Sequence, residues 1–201
     1  KMPEDTVFLK EGDTIDVGNV ELKVIHTPGH TPESITFVLT DRGGGSDEPM
    51  GMFTGDFLFV GDIGRPDLLE EAAKMEGTTE IGAKDMFNSL KKLENYPDFL
   101  QVWPGHGAGS PCGKALGAVP LSTLGYERQN NWALKADDEE SFVKELVSDQ
   151  PEPPTHFAHM KKVNKEGLPE FKLKEVIVGT PKQLPGQIFD LRSKETFAEG
   201  F

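Results

Sequence analysis

"VIHTPGHTPES", residues 24–34, sets two histidines four positions apart across a Pro-Gly break. Val20, Leu22 and Val24 alternate on the way into it, so the stretch opens at the end of a β-strand. Pro28-Gly29 forces a sharp turn, which stops a helix from bringing His26 and His30 onto one face. His26 keeps the phase of Leu22 and Val24 and reads as a packed, hydrogen-bonded strand residue. His30 falls beyond the glycine, at the strand's mouth, where side chains converge on a site.

Two further stretches repeat the pattern. "FTGDFLFVGDIGRPD", residues 53–67, places Asp56 after a hydrophobic strand and a glycine, and "VWPGHGAG", residues 102–109, does the same for His106. A carboxylate at such a point is either the partner of a neutral imidazole on a divalent metal or a turn-former or helix cap. Glycine-ringed strand ends are where α/β layers keep their sites, and "PGH", "TGD" and "PGH" recur in order.

Around these points the punctuation predicts the elements. "DTIDVGNVELKVIHT" reads as two strands about a Gly-Asn turn. "SITFVLT" and "MGMFTGD" form a second pair, joined by the polar, glycine-rich loop "DRGGGSDEP". Helical spacing of Met86, Leu90 and Leu93 marks "AKDMFNSLKKLEN", and the strand "FLQVW" then runs into a long loop, "PGHGAGSPCGKALGAVP". Helices are expected in "LSTLGYERQNNWALK", "DEESFVKELVSD" and "PPTHFAHMKKVN", the last carrying His156 and His159 as solvated residues. This order implies mixed α/β layers. After "KEGLPEFKLKEVIVGTPKQLPG", the segment "QIFDLRSKETFAEGF" reads as a strand ending in Asp190 and a helix capped by Ser193, the opening of another domain. The expected division is 1–170 for the first domain, 171–185 for a linker and 186–201 for that opening.

Charge narrows the partners. The 201 residues carry 21 Lys and Arg against 34 Asp and Glu, a net charge of -13, which disfavours nucleic acid and anionic membrane. No apolar run approaches the roughly 20 residues of a bilayer span, and the first residues are too acidic and polar for a secretory signal. The chain reads as soluble and cytoplasmic. Its lone Cys112 excludes an intramolecular disulfide and fits a reducing compartment.

"HTPGHTPES", "FTGDFLFVGDIGRPD" and "WPGHGAGSPCG" together resemble the later motifs of the metallo-β-lactamase fold, an αββα sandwich with metal at its strand ends. Within it, "GDIGRPD", "PGHGAGSPCGKALG", "STLGYERQNNWAL" and "PPTHFAHMKKVNKEG" resemble the persulfide dioxygenase branch, especially bacterial members fused to rhodanese domains. The tail is similar to a rhodanese's first strand and helix. The resemblance implies an α/β chain holding mainly the C-terminal half of the sandwich plus the start of a rhodanese-like domain. The family's His-x-His-x-Asp-His motif, source of a third ligand, is absent from the sequence. Two of three iron ligands are therefore expected.

By that resemblance His30 and Asp56 bind a single Fe2+, which oxidises a low-molecular-weight thiol persulfide with dioxygen and water to sulfite and thiol. His106 matches the position that binds a second metal in related hydrolases and is expected not to touch the iron. Arg65 pairs with an anionic group of the thiol carrier or anchors its loop through Asp62 or Asp67. Cys112 meets the persulfide or is a small loop residue, while Tyr126 and Arg128 line the same mouth or pack a helix. The alternatives are a glyoxalase II-like hydrolase of thioesters, with Zn2+ or another dinuclear centre bridged by Asp56, and an inactive fragment lacking one ligand. Homo-oligomers are compatible with either enzyme.

Overall fold

The computed structural model describes residues 6–73 and 77–168. Two strands, β1 (Thr14–Val17) and β2 (Val20–His26), form a hairpin about Gly18, whose φ of 62° suits the two-residue turn. β3 (Ile35–Asp41) runs antiparallel along all of β2, and β4 (Gly51–Gly55) is antiparallel to β3. β5 (Gln101–Pro104) is parallel to β4, so a crossover must join them. That crossover carries α1 (Leu68–Ala73) and α2 (Thr78–Lys91). The two-residue β6 (Ser122–Thr123) closes a six-stranded sheet whose spatial order follows the sequence. Then come α3 (Leu124–Asn130), α4 (Glu139–Val147) and α5 (Phe157–Glu166).

The period-2 alternation of strands decides which side chains enter the core. Val38, Met52 and Val102 stand side by side across β3, β4 and β5, and all are buried. Ala83, Met86 and Leu90 of α2 and Phe142 and Leu146 of α4 share that core. Phe142 sits between Phe87 and Trp132, at ring separations of 5.2 and 5.5 Å. Each fully buried Val, Leu, Met or Phe side chain contributes about 1.5–3 kcal/mol by leaving water. On the other side of the sheet Phe53 packs on Trp103 at 4.8 Å yet stays 44% exposed. The sheet and its helical layer make mixed α/β layers, with the helices covering one face.

The strands and helices expected within the described residues all form. α1 and β6 were not expected: α1 has six residues and no full apolar period, and β6 is two residues appended to the front of α3. His156 and His159 are exposed at and on α5. The compact unit that holds the sheet runs to Lys162, its boundary falling within α5. The linker expected over 171–185 and the rhodanese-like opening expected over 186–201 lie outside the described residues. No described helix is long and apolar enough to cross a membrane.

Candidate metal centre

The loop after β2 is held shut by its own residues. Thr27 N–H donates to the Ser34 carbonyl at 2.9 Å, and the two buried hydroxyls of Thr27 and Thr36 meet at 3.0 Å. The His26 ring, partly buried, donates from Nε2 to the Pro32 carbonyl at 2.8 Å, so this histidine spends its donor closing the loop. From α2, Ser89 Oγ donates to the Pro28 carbonyl at 2.7 Å. Gly29, at φ +151°, lies so close to the helix that a Cβ there would stand 2.7 Å from that of Met86. These ties fix where His30 emerges.

At the base of the same loop Glu11 accepts from His26 N–H at 2.7 Å and from Lys92 Nζ at 2.9 Å. Burial alone would raise the Glu11 carboxyl, but its hydrogen bonds with Lys92 and His26, with their charges, hold it below its ordinary 4.5. A depressed folded pKa contributes stability that is present above the unfolded value and lost as pH falls through the lower folded one. Glu11→Gln should therefore flatten acid unfolding below about pH 4.5. The side chain is 54% exposed, so solvent screening keeps the change under about 1 kcal/mol. Urea melts from pH 3 to pH 6 would measure it.

β4 ends on Gly55 and delivers Asp56 into a loop that doubles back on itself. Phe57, Leu58, Phe59 and Val60 are all buried, which sinks the loop into the molecule. Gly64 N–H then returns to the Phe57 carbonyl at 3.0 Å. A Cβ on Gly64 would lie 1.8 Å from the Asp56 carbonyl oxygen, so no other residue permits this approach. A buried polar network supports the loop from behind. The Asp62 carboxylate accepts from Trp132 Nε1 at 3.0 Å and from Ala115 N–H at 2.9 Å, while Asn131 Nδ2 donates to the Asp62 carbonyl at 3.0 Å. Glu127, fully buried, accepts from Gly61 N–H at 2.8 Å and from Asn131 at 3.0 Å. Of this network the sequence points only to Asp62, as a possible partner of Arg65, because the members stand far apart along the chain.

These loops bring His30, Asp56 and His106 together. Asp56 Oδ2 lies 3.5 Å from His30 Nε2, and Asp56 Oδ1 lies 2.9 Å from His106 Nε2. The two histidines differ in their other nitrogen. His30 Nδ1 is 2.8 Å from the Arg65 carbonyl, which can only accept. In neutral His30 the proton is thus on Nδ1, and the Nε2 lone pair faces a carboxylate oxygen. A divalent cation between Nε2 and Oδ2 would satisfy both lone pairs, so the donor set fits a divalent metal. His106 Nε2 instead sits at hydrogen-bond distance from Asp56 and can donate to it.

The substrate candidates fall in different places. Arg65 is 1% exposed, and its guanidinium donates to both Asp67 oxygens at 2.8 and 2.5 Å and to the Pro111 carbonyl at 3.2 Å. Of its two expected roles this is the loop anchor, through Asp67 and not Asp62. Its backbone N–H also donates to the Cys112 carbonyl at 3.1 Å, which brings the second glycine-rich loop to the site. Asp56, His106 and Cys112 consequently present donor atoms within 4.8 Å of one another. Burial pushes the Cys112 thiol above its ordinary value, against its Ser110 hydrogen bond, with Asp56 adding to the rise and Arg65 opposing it. Tyr126 stands 58% exposed on α3, and Arg128 turns to Asp98 and the carbonyls of Leu93 and Tyr96, a helix-packing role.

Residues 2–106 match the sequence model of the Metallo-beta-lactamase superfamily. A crystal structure of a metallo-beta-lactamase from Staphylococcus aureus subsp. aureus COL is 57% identical, with a TM-score of 0.82, over 99% of this chain and 57% of that one. ETHE1 from Myxococcus xanthus is 24% identical over 79% of this chain and 59% of its own, with a TM-score of 0.60, a likeness of fold. A hydroxyacylglutathione hydrolase from Rippkaea orientalis is 38% identical over 106 residues, 53% of this chain and 36% of the hydrolase. This chain therefore spans little more than half of the staphylococcal protein, and its match about a third of the hydrolase.

Proposed function

The chain belongs to the metallo-beta-lactamase superfamily, and from that premise we propose that it supplies His30 and Asp56 to ferrous iron in a persulfide dioxygenase. The observation that carries the reading is the His30 ring. Its Nδ1 proton is committed to the Arg65 carbonyl at 2.8 Å, which leaves Nε2 as a free donor 3.5 Å from Asp56 Oδ2. His106 then serves the carboxylate, donating to Oδ1 and turning Oδ2 toward the ion. His30 and Asp56 would hold the iron together with a histidine that the reading expects from the family's His-x-His-x-Asp-His segment, a donor set of the kind that suits ferrous iron in oxygenases. When bound, the iron supplies the redox centre at which a thiol persulfide, dioxygen and water give sulfite and the free thiol.

The protein's own residues hold and shield that centre. The Arg65 carbonyl fixes the tautomer and orientation of His30, and buried Phe59 and Leu68 form an apolar cluster with Cys112 beside Asp56. Cys112 and Tyr126 are the residues of this chain proposed to meet the thiol carrier. The motif contexts "GDIGRPD" and "GSPCGKALG" support the dioxygenase branch.

One observation favours a second reading. Asp56 lies between two imidazoles, as a carboxylate bridging two metals would, and the matched hydrolases are named hydroxyacylglutathione hydrolase. A dinuclear centre would activate water against a thioester. Full-length protein loaded with iron separates the two: on adding glutathione persulfide it should take up dioxygen and release sulfite. Thioester hydrolysis with two ions per chain and no oxygen uptake would reverse the choice.

A further inference from the structure

A cavity of about 670 Å³ opens beside the Arg65–Asp67 pair, between Glu70 of α1, Thr79 of α2 and the turn that follows α4. None of its lining residues is among the metal donors, and its size is that of a small-molecule site. Hydrogen bonding in its wall is one-sided. Thr79 gives both its N–H and its hydroxyl to Glu70, at 3.0 and 2.5 Å, and Gln150 gives Nε2 to the Leu146 carbonyl at 2.6 Å. Arg65 gives its guanidinium to Asp67 and the Pro111 carbonyl, while Pro151 and Pro153 have no N–H to offer. Donors are engaged inside the wall, and acceptors are left over.

Two of those acceptors are charged. Asp149, at φ 50°, takes the left-handed turn that Asp tolerates and leads the chain from the end of α4 into the wall. No described residue bonds its carboxylate or that of Glu152. A third acceptor is neutral and independent of them: Gln150 Oε1 is buried and has no hydrogen-bond partner among the described residues. An unmet acceptor away from water costs stability, so this oxygen marks where a donor belongs. Charge points the same way. Asp67, Glu70, Asp149 and Glu152 line the cavity with Arg65 as the cation, and Asp67 already neutralises that guanidinium. A concave wall of one sign concentrates the opposite one.

We propose that this cavity binds a small aliphatic diamine. Its two ammonium heads answer the carboxylates of Asp149 and Glu152, and one head also gives an N–H to Gln150 Oε1. The methylene stem lies on Val147, an apolar side chain left 39% exposed in the wall. An ammonium carries three donors and no acceptor, the complement of a wall whose own donors are engaged. The cavity shares Arg65 with the metal centre, since the carbonyl of that residue holds His30. Diamine binding nonetheless needs no metal and stands whether or not the iron reading holds.

Calorimetric titration of the full-length protein with cadaverine, 1,5-diaminopentane, tests the assignment. Wild type should bind one equivalent, more weakly as sodium chloride rises. Asp149→Asn with Glu152→Gln should lower the affinity by at least about 10-fold. Pentane-1,5-diol, of equal length and no charge, should not bind. Glu48→Gln, at an exposed carboxylate in the loop before β4, should leave the affinity unchanged, which separates the cavity from general attraction to a chain of net charge -13. Gln150→Lys supplies a tethered ammonium of its own, so it should exclude cadaverine and raise the melting temperature. Equal affinity in wild type and the double variant, equal affinity for pentylamine and cadaverine, or a matching loss in Glu48→Gln overturns the assignment.

Discussion

Asp56→Ala in the full-length protein should abolish stoichiometric iron and lower oxygen consumption by at least about 100-fold, beyond the 10–100-fold typical of residues that only support a ligand. The expectation follows from what the carboxylate faces. Its Oδ2 lies 3.5 Å from a histidine nitrogen whose lone pair is turned toward it, and its Oδ1 lies 2.9 Å from a second histidine. Removing the side chain removes one donor outright and leaves His30 with no partner to share an ion. His30→Ala should be as severe, since the Arg65 carbonyl holds that ring for one purpose. His106→Ala should sit within the 10–100-fold range, because it acts on the iron through Asp56. The metal-free protein offers a second readout. Opposed lone pairs destabilise the empty site, so iron-free Asp56→Asn should melt no lower than iron-free wild type, as expected where function stores strain. Iron content and an oxygen electrode measure the first effect, calorimetry the second. Full iron and full turnover in Asp56→Ala would remove the ligand assignment.

What the sequence made legible was set by range along the chain. β2 through β4 alternate with period 2 and are bounded by glycine and proline, so the strand ends that bear His30 and Asp56 could be located by local rules. His26 was separable from His30 for the same reason, strand phase before the Pro-Gly break. The partners of Arg65 were harder. Asp62 and Asp67 are both within reach of a guanidinium, and only the loop's fold back onto Phe57 gives Asp67 to Arg65 and Asp62 to Trp132 and Ala115. Glu127 was invisible as a support because a helical glutamate ordinarily faces water. It is buried here because Gly61 N–H, 66 positions away, needs an acceptor. The approach of Cys112 to Asp56 has the same origin, since no local pattern specifies a tether between a glycine-rich loop and an arginine 46 residues earlier.

That arginine makes the second large effect. Arg65→Ala should lower the stability of the domain by about 3–5 kcal/mol, the cost of leaving one member of a buried ion pair without its partner. Arg65 is 1% exposed at its side chain and Asp67 14%, so solvent offers the stranded carboxylate little help. At roughly 2–4 °C per kcal/mol for a chain of this size, the melting temperature should fall by about 6–20 °C. Arg65→Lys should recover only part of this, because an ammonium cannot bond both Asp67 oxygens and the Pro111 carbonyl in one plane as the guanidinium does. Arg65→Met with Asp67→Leu should recover more, since a buried pair replaced as a whole by apolar groups of similar size leaves no unpaired charge. Iron binding should separate from stability in that double variant. The backbone carbonyl that holds His30 and the N–H that holds Cys112 both remain, and only the side-chain bond to Pro111 is lost, so the double variant should keep its iron. A melting temperature unchanged in Arg65→Ala would show that the loop is fixed by its backbone bonds alone, and the Arg65 side chain would then have no share in placing the site.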